Sequence, residues 1–328
     1  MDEIELFDGS VGMYTRSLLT EEEKEREDPL WGSGLIVTRP DIVQQMHREY
    51  VSAGSTFITT CTYQTSLDLY CSEFNITREE AQQKLANSVN LARTCLNSNG
   101  EQGDKKRFKV AASIGSFGAH LCNMSEYNGS FAANFSEEQM ASWHKELVSA
   151  FQLTKPDVIG FETIPVIKEM NAIMCMMRDC FPSQKFYLSF QCSSPSTLGS
   201  GQSFQLAIQQ LLTFKANNNL VAIGINCSAV QHTTGLLESA RDAISQLALP
   251  VLIMPNLKFG GFAAEEFEQL RKDFFDCIES QCVQWHALGV RWFGLCCRTE
   301  PPDISKLKLI ITSKLGNSCS SQANKNSI

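Results

Sequence analysis

Eight short apolar segments rich in β-branched and aromatic residues recur along the chain and predict eight strands. They lie at Glu5–Phe7, Thr56–Thr60, Lys109–Ile114, Asp157–Glu162, Lys185–Gln191, Leu220–Asn226, Pro250–Met254 and Val290–Leu295. Most of them lack alternation of apolar and polar residues, which is typical of strands buried on both faces of a parallel sheet.

Helical patterns separate these segments. Thr77 with Glu80 and Ser136 with Gln139 form capping boxes, and each opens an amphipathic stretch. Because strand and helix alternate eight times, the sequence predicts an α/β fold, a single-domain (β/α)8 TIM barrel over residues 1–312. A doubly wound sheet stays as the alternative, since alternation does not require closure. The Ser/Asn-rich residues 313–328 are expected to form a disordered tail.

Composition and charge narrow the range of possible functions. The 328 residues are 43% hydrophobic and carry a net charge of −8, which argues against a nucleic-acid or anionic-membrane surface. No apolar run reaches the roughly eighteen residues of a membrane span. The first residues lack the pattern of a secretory signal, so we expect a cytoplasmic protein whose thirteen cysteines are reduced. Nothing in the pattern specifies an oligomeric state.

Polar residues follow several of the predicted strands. Catalytic groups of barrels lie at the carboxyl ends of the strands. The residues at those ends include Asp8, Thr60, Glu162, the pair Asn226–Cys227 and the pair Cys296–Cys297. We therefore expect these side chains to face one mouth of the barrel.

Three of these residues are cysteines, and thiolates favour zinc. Cys227, Cys296 and Cys297 would leave one tetrahedral position open, which is typical of a catalytic zinc site. The alternative is that the adjacent pair alternates between barrel interior and helix layer as inert thiols. None of the five histidines follows a predicted strand, which weakens a Cys/His nucleophile, although a metal-free cysteine hydrolase stays possible.

Seven blocks in order along the chain resemble the homocysteine S-methyltransferase family. They are Asp8-Gly9, Asp28-Pro29-Leu30-Trp31, Thr60-Cys61-Thr62-Tyr63-Gln64, Gly115-Ser116-Phe117-Gly118-Ala119, Phe161-Glu162-Thr163-Ile164-Pro165, Gly224-Ile225-Asn226-Cys227-Ser228 and Gly294-Leu295-Cys296-Cys297-Arg298-Thr299. The resemblance covers nearly the whole chain, from residue 8 to about residue 312.

The resemblance implies a zinc-dependent barrel that methylates the thiol of homocysteine to give methionine. Its zinc ligands match Cys227, Cys296 and Cys297, which would act in catalysis by activating the substrate thiol on one zinc ion per chain. Its homocysteine-binding residues match Asp8, Gly9, Thr60 and Glu162, and Asn226 is assigned to the substrate site with them. The two acids would bind the substrate ammonium, and backbone N–H groups or Thr60 its carboxylate.

The sequence departs from the family pattern at a few positions near the expected mouth. Ser10 and Leu295 replace glycines, each adding a side chain there, and the run Met254 to Phe259 keeps only Pro255-Asn256 of the usual motif. These changes leave one alternative, a zinc-binding barrel with lost or regulatory activity. A methyltransferase for selenohomocysteine or another thiol also stays open, since such an acceptor would suit the same metal.

The identity of the methyl donor is inferred from two further positions. The betaine-using branch surrounds a quaternary ammonium with aromatic rings, and Gln64 and Thr163 stand where that branch has tyrosines. We therefore expect a sulfonium donor, with S-methylmethionine ranked before S-adenosylmethionine.

Overall fold

The computed structural model describes residues 4–24, 30–95, 108–217, 219–257 and 263–316. Within these ranges eight strands form one sheet: β1 (Glu5–Leu6), β2 (Phe57–Thr59), β3 (Lys109–Gly115), β4 (Val158–Ile164), β5 (Phe186–Phe190), β6 (Leu220–Ala229), β7 (Val251–Asn256) and β8 (Val290–Phe293). All eight coincide with segments that the hydrophobic pattern predicts.

Helices surround the sheet. They are α1 (Val11–Ser17), α2 (Glu21–Lys24), α3 (Leu35–Thr38), α4 (Pro40–Ala53), α5 (Leu67–Phe74), α6 (Arg78–Thr94), α7 (Phe117–His120), α8 (Glu137–Phe151), α9 (Ile167–Cys180), α10 (Phe204–Leu211), α11 (Thr233–Ser239), α12 (Arg241–Leu247), α13 (Ala264–Ala287) and α14 (Pro301–Leu315). Both capping boxes are present, at Thr77 with Glu80 and at Ser136 with Gln139. None of the helices in the described ranges is long and apolar enough to span a bilayer.

The strands are parallel and follow the order β1-β8-β7-β6-β5-β4-β3-β2. The two ends of this series also meet, because the Thr56 amide donates to the Leu6 carbonyl at 2.7 Å and the Leu6 amide donates to Thr56 Oγ1 at 2.9 Å. The prediction of a (β/α)8 barrel is confirmed, and the doubly wound alternative is wrong.

Four strands run further toward the mouth than the hydrophobic pattern indicates, with β3 ending at Gly115 and β7 at Asn256. β4 continues to Ile164 and β6 to Ala229, and both contain register shifts near these ends. Such bulges re-aim side chains beside binding sites. They occur at the strand ends that carry Glu162 and Cys227.

The apolar core has two main layers. Most buried side chains lie between the sheet and the helices, while a smaller cluster inside the barrel includes Phe7, Phe57, Tyr187 and Trp292. Phe7 and Phe57 stack with ring centroids 4.4 Å apart, and Trp292 packs against both. These rings fill the barrel interior, so the polar residues at the carboxyl ends of the strands stand above an apolar floor.

The end of the described chain differs from the expectation of a tail beginning at residue 313. α14 continues to Leu315, whose buried side chain joins those of Ile304, Leu307 and Ile311 in the apolar core. The expected disorder is therefore wrong for residues 313–315. Residues 317–328 lie outside the described ranges.

Candidate metal and substrate site

A cavity of about 570 Å³ opens at the carboxyl ends of the strands. Its wall includes residues that follow β1 and β2, residues on β4 and β6, and the cysteine pair after β8. The connection between β1 and α4 forms part of this wall through Gly9 to Met13, Trp31 and Ser33. The predicted residues Gly9, Thr60, Glu162, Asn226, Cys227, Cys296 and Cys297 all line it.

The three predicted cysteines lie together. The Sγ atoms of Cys227 and Cys297 are 3.7 Å apart, those of Cys296 and Cys297 are 3.9 Å apart, and all three lie within 4.8 Å of one another. Three thiolates bound tetrahedrally to zinc at about 2.3 Å stand about 3.8 Å apart. The spacing fits one metal ion with an open fourth position toward the cavity.

The charge of the thiol cluster also favours a cation. Hydrogen bonds from the Cys227 and Cys296 thiols lower the pKa of Cys297 well below its usual range. The Cys227 thiol donates to both other cysteines, and these bonds, first to Cys296 and then to Cys297, together with burial raise the pKa of Cys227 well above its usual range. The buried cluster thus holds one thiolate readily, whereas three adjacent thiolates need a positive ion between them.

The backbone around the thiols is held in uncommon conformations. Cys227 has φ +47° and Arg298, directly after Cys297, has φ +66°. The Cys296 amide donates to the Pro255 carbonyl at 2.9 Å, and the Leu257 amide donates to the Cys297 carbonyl at 3.2 Å. Left-handed backbone at residues with side chains costs free energy and is concentrated at functional sites.

Asn226 fixes the turn that carries Cys227. Its Oδ1 accepts from the Thr163 amide and the Ser189 hydroxyl, both at 2.8 Å, and its Nδ2 donates to Thr163 Oγ1 at 2.8 Å. Thr163 has φ +63°, so these bonds stabilise a strained residue next to Glu162. Asn226 therefore positions the site from the β6 side.

Replacing Asn226 with alanine should destabilise the fold by about 3 kcal/mol, because buried donors on Thr163 and Ser189 lose their acceptor. The shift of the adjacent Cys227 should also weaken metal retention. Urea denaturation and zinc analysis measure both effects. Asn87→Ala, at an exposed position on α6, is the matched control and should change stability by less than about 0.5 kcal/mol. Equal behaviour of the two variants would contradict this role for Asn226.

Glu162 is the carboxyl group on the inner wall. Burial raises its pKa to about 7, partly offset by hydrogen bonds from the Tyr187 and Ser113 hydroxyls. Ser113 Oγ lies 3.0 Å from Glu162 Oε2, and the Tyr187 hydroxyl donates to Oε1. Tyr187 reaches this position because Gly160 has no side chain; a Cβ there would lie 2.3 Å from the tyrosine ring. The Glu162 carboxyl group therefore becomes negatively charged near neutral pH, or at lower pH when a cation binds beside it.

Asp8 lies beneath the cavity and is not one of the residues that line it. Its two carboxylate oxygens accept from the Thr59 amide at 2.7 Å and the Thr59 hydroxyl at 2.8 Å, joining the ends of β1 and β2. Burial raises its pKa well above the usual range, and the charge of Glu162 adds to that effect. Asp8 therefore shares a buried acidic region with Glu162, and a cation bound there is attracted to both.

The Thr60 side chain is engaged in a closed set of hydrogen bonds. Its Oγ1 accepts from the Ser113 amide at 3.0 Å and pairs with Thr62 Oγ1 at 2.6 Å, and Thr62 Oγ1 donates to the Ser113 carbonyl at 2.6 Å. Because Thr62 donates to Ser113, Thr60 is the donor within the pair. Its hydroxyl proton is thus used within the protein, which leaves backbone groups as the better candidates for a substrate carboxylate.

The three departures from the family pattern lie in different places. Ser10 lines the cavity, as expected. The expectation for Leu295 is wrong: it lies just after β8, and its side chain is 1% exposed and belongs to the apolar cluster between sheet and helices. Asn256 ends β7 beside the cysteine pair, whereas Lys258 and Phe259 lie outside the described residues.

Several lining residues were not assigned from the sequence. Aromatic side chains of Trp31, Tyr63 and Tyr127 line the cavity, and so does the carboxyl group of Glu126. Gln64 lines it too, whereas Thr163 is fully buried. Trp31 and Tyr63 belong to blocks that carry the family resemblance, which could have indicated them. Glu126 and Tyr127 lie in an irregular segment with no such signal.

The fold and the site together define a barrel with three thiols at its mouth that are spaced to hold a metal ion, and comparisons with known proteins identify its family. The sequence profile of the homocysteine S-methyltransferase family matches residues 6–311. A protein named betaine-homocysteine S-methyltransferase from Drosophila melanogaster is 31% identical over 297 residues, covering 87% of this chain and 88% of that protein. Homocysteine S-methyltransferase YbgG from Bacillus subtilis is 28% identical over 289 residues, with 85% and 87% coverage.

A solved structure agrees with these relatives. The homocysteine methyltransferase MmuM from Escherichia coli, in its metallated form, superposes with a TM-score of 0.76 at 26% identity, covering 94% of this chain and 96% of that one. The chain belongs to the homocysteine S-methyltransferase family.

Proposed function

We propose that this protein transfers a methyl group from a sulfonium donor to the thiol of L-homocysteine, giving methionine, and that Cys227, Cys296 and Cys297 hold one zinc ion for this reaction. The observation that carries the proposal is the group of three Sγ atoms within 4.8 Å on the wall of a cavity large enough for small substrates. The family membership supports the thiol as acceptor.

The metal and the protein have separate tasks. Zinc, when bound, would supply the Lewis acidity that deprotonates a substrate thiol without a general base. The three cysteines, which line the cavity, would hold that ion. Glu162, with the charge of Asp8 behind it, binds the homocysteine ammonium, and Gly9 lines the wall where its backbone is available for the substrate carboxylate. Asn226 and Thr60 keep these groups in position.

The donor must approach from the cavity as a cation. The rings of Trp31, Tyr63 and Tyr127 offer faces that attract any onium group, sulfonium or quaternary ammonium. Gln64 and Thr163 at the positions of the betaine-branch tyrosines favour a sulfonium, S-methylmethionine before S-adenosylmethionine. The name of the Drosophila relative makes betaine the competing donor.

Methionine formation from homocysteine with each of the three donors tests this proposal. We expect turnover with S-methylmethionine, less with S-adenosylmethionine, and none above background with betaine. Turnover only with betaine would contradict the choice of donor. Zinc-loaded protein with no methyl transfer from any donor would support a thiol-binding barrel without turnover, and a preference for selenohomocysteine would reassign the acceptor.

A further inference from the structure

Glu126 lies in a rigidly held segment between α7 and α8, in the 3-10 turn Ser125–Tyr127. This turn packs against α7 so closely that a Cβ on Gly118 would lie 2.6 Å from the Glu126 amide nitrogen. The Ser125 hydroxyl donates to the Gly118 carbonyl at 3.3 Å, and the Gly129 amide donates to the Ser125 carbonyl at 2.8 Å. The local chain therefore fixes where the Glu126 side chain stands.

The carboxyl group of Glu126 is buried without a complete set of partners. The residue is 7% exposed and lines the cavity, and its Oε2 has no hydrogen-bond partner among the described residues. A buried carboxyl oxygen with no partner costs free energy. Its presence on the wall of a substrate cavity points to a ligand that supplies the missing donor and a positive charge.

Two amino-acid substrates would bring two ammonium groups to this cavity. Glu162 is a residue of β4 itself and stands over the barrel floor with Asp8, whereas Glu126 lies in a turn that packs on α7, after the carboxyl end of β3. The residue after it, Tyr127, has its hydroxyl on the Cys297 thiol. Glu126 is thus a second carboxyl group on the cavity wall, next to a residue that contacts the thiol cluster, and it is available to the donor if homocysteine occupies the inner acidic region.

We propose that Glu126 binds the α-ammonium of an amino-acid methyl donor, and so selects sulfonium amino acids over onium donors that carry a carboxylate but no amino group. This assignment rests on the proposed methyl transfer, since it concerns the donor half of that site. The only nitrogen of betaine is the quaternary ammonium that carries the methyl groups, and it has no N–H to donate. Betaine would therefore leave the Oε2 atom without a hydrogen-bond partner.

The test compares two sulfonium ligands that differ in the amino group. S-Methylmethionine has it, and 4-(dimethylsulfonio)butanoate, the same chain without the amino group, lacks it. With the zinc-loaded protein, Glu126→Gln should raise the Kd of S-methylmethionine, measured by calorimetry, by about tenfold or more. The Kd of 4-(dimethylsulfonio)butanoate and the KM of homocysteine should change by less than about twofold. Glu73→Gln, at an exposed position on α5, is the control and should change none of them.

Three results would overturn the assignment: equal weakening of both sulfonium ligands, no weakening of either, or no binding of S-methylmethionine to the unmodified protein. Failure of the proposed methyl transfer would give a different result. In that case the unmodified protein produces no methionine from any sulfonium donor, while the binding comparison still reports whether Glu126 recognises the amino group.

Discussion

Replacing Cys227 with serine is expected to remove bound zinc and methyl transfer together, and Cys296→Ser should do the same. A serine hydroxyl is not deprotonated at neutral pH and does not replace a thiolate ligand. Because the substrate thiol then stays mostly protonated, kcat/KM should fall by about a thousandfold. Metal analysis of the purified variants, alongside methionine formation, measures both losses.

Cys61→Ser is the control for this pair. Cys61 is also buried and lines the cavity, but it lies outside the three-thiol group and donates to the Gly32 carbonyl at 3.4 Å, a bond that a serine hydroxyl can replace. It should retain one zinc ion and most of the activity. Stoichiometric zinc in Cys227→Ser would contradict the assignment of the ligands.

Glu162→Gln is expected to raise the KM for homocysteine by roughly tenfold to a hundredfold while zinc content stays unchanged, because the ammonium loses its charged partner. A glutamine has the same shape as the glutamate and keeps both neighbours. The Tyr187 hydroxyl can donate to the amide oxygen, and the Ser113 hydroxyl can accept from the amide nitrogen. The loss therefore concerns charge rather than the local structure.

The pH dependence of this effect has a definite sign. The pKa of Glu162 is raised to about 7, so the group is neutral at lower pH and charged above it. The ratio of the two KM values, variant to unmodified, should therefore increase as pH rises through about 7. A ratio that is constant over this range would contradict a charged contact between Glu162 and the substrate.

The stability of the Glu162→Gln variant against urea shows whether its altered KM has a cause other than misfolding. A carboxyl with a raised pKa contributes stability that is present below its ordinary value of 4.5 and lost as pH rises through about 7. At pH values above that window Glu162 destabilises the protein before substrate binds, and the glutamine variant does not. The variant should therefore unfold at the same or higher urea concentration at alkaline pH.

The hydrophobic pattern predicts the barrel because all eight strands are buried on both faces and separated by helical repeats. It also predicts that the three cysteines lie together, since closing the barrel brings strand ends together whatever their separation in sequence. Cys227 and Cys297 are 70 residues apart along the chain, yet their sulfur atoms lie 3.7 Å apart. The resemblance of seven blocks to the homocysteine S-methyltransferase family then indicates that three thiols at a barrel mouth bind zinc for methyl transfer.

The hydrophobic pattern does not predict the direction of individual side chains or the course of irregular segments. Leu295 departs from the family glycine without altering the mouth, because its side chain faces the helix layer. Asp8 looks like a wall residue from the sequence, but Thr59 occupies both of its oxygens. Glu126 lies in a 3-10 turn whose course depends on tertiary contacts with Gly118, so no periodicity indicates that it reaches the cavity.

Zinc K-edge X-ray absorption on the purified protein, before and after homocysteine is added, tests the central claim most directly. The account predicts three sulfur ligands at about 2.3 Å and one lighter ligand in the free protein, and four sulfurs with homocysteine. A metal with fewer than three sulfur ligands, or a sulfur count unchanged by homocysteine, would contradict it.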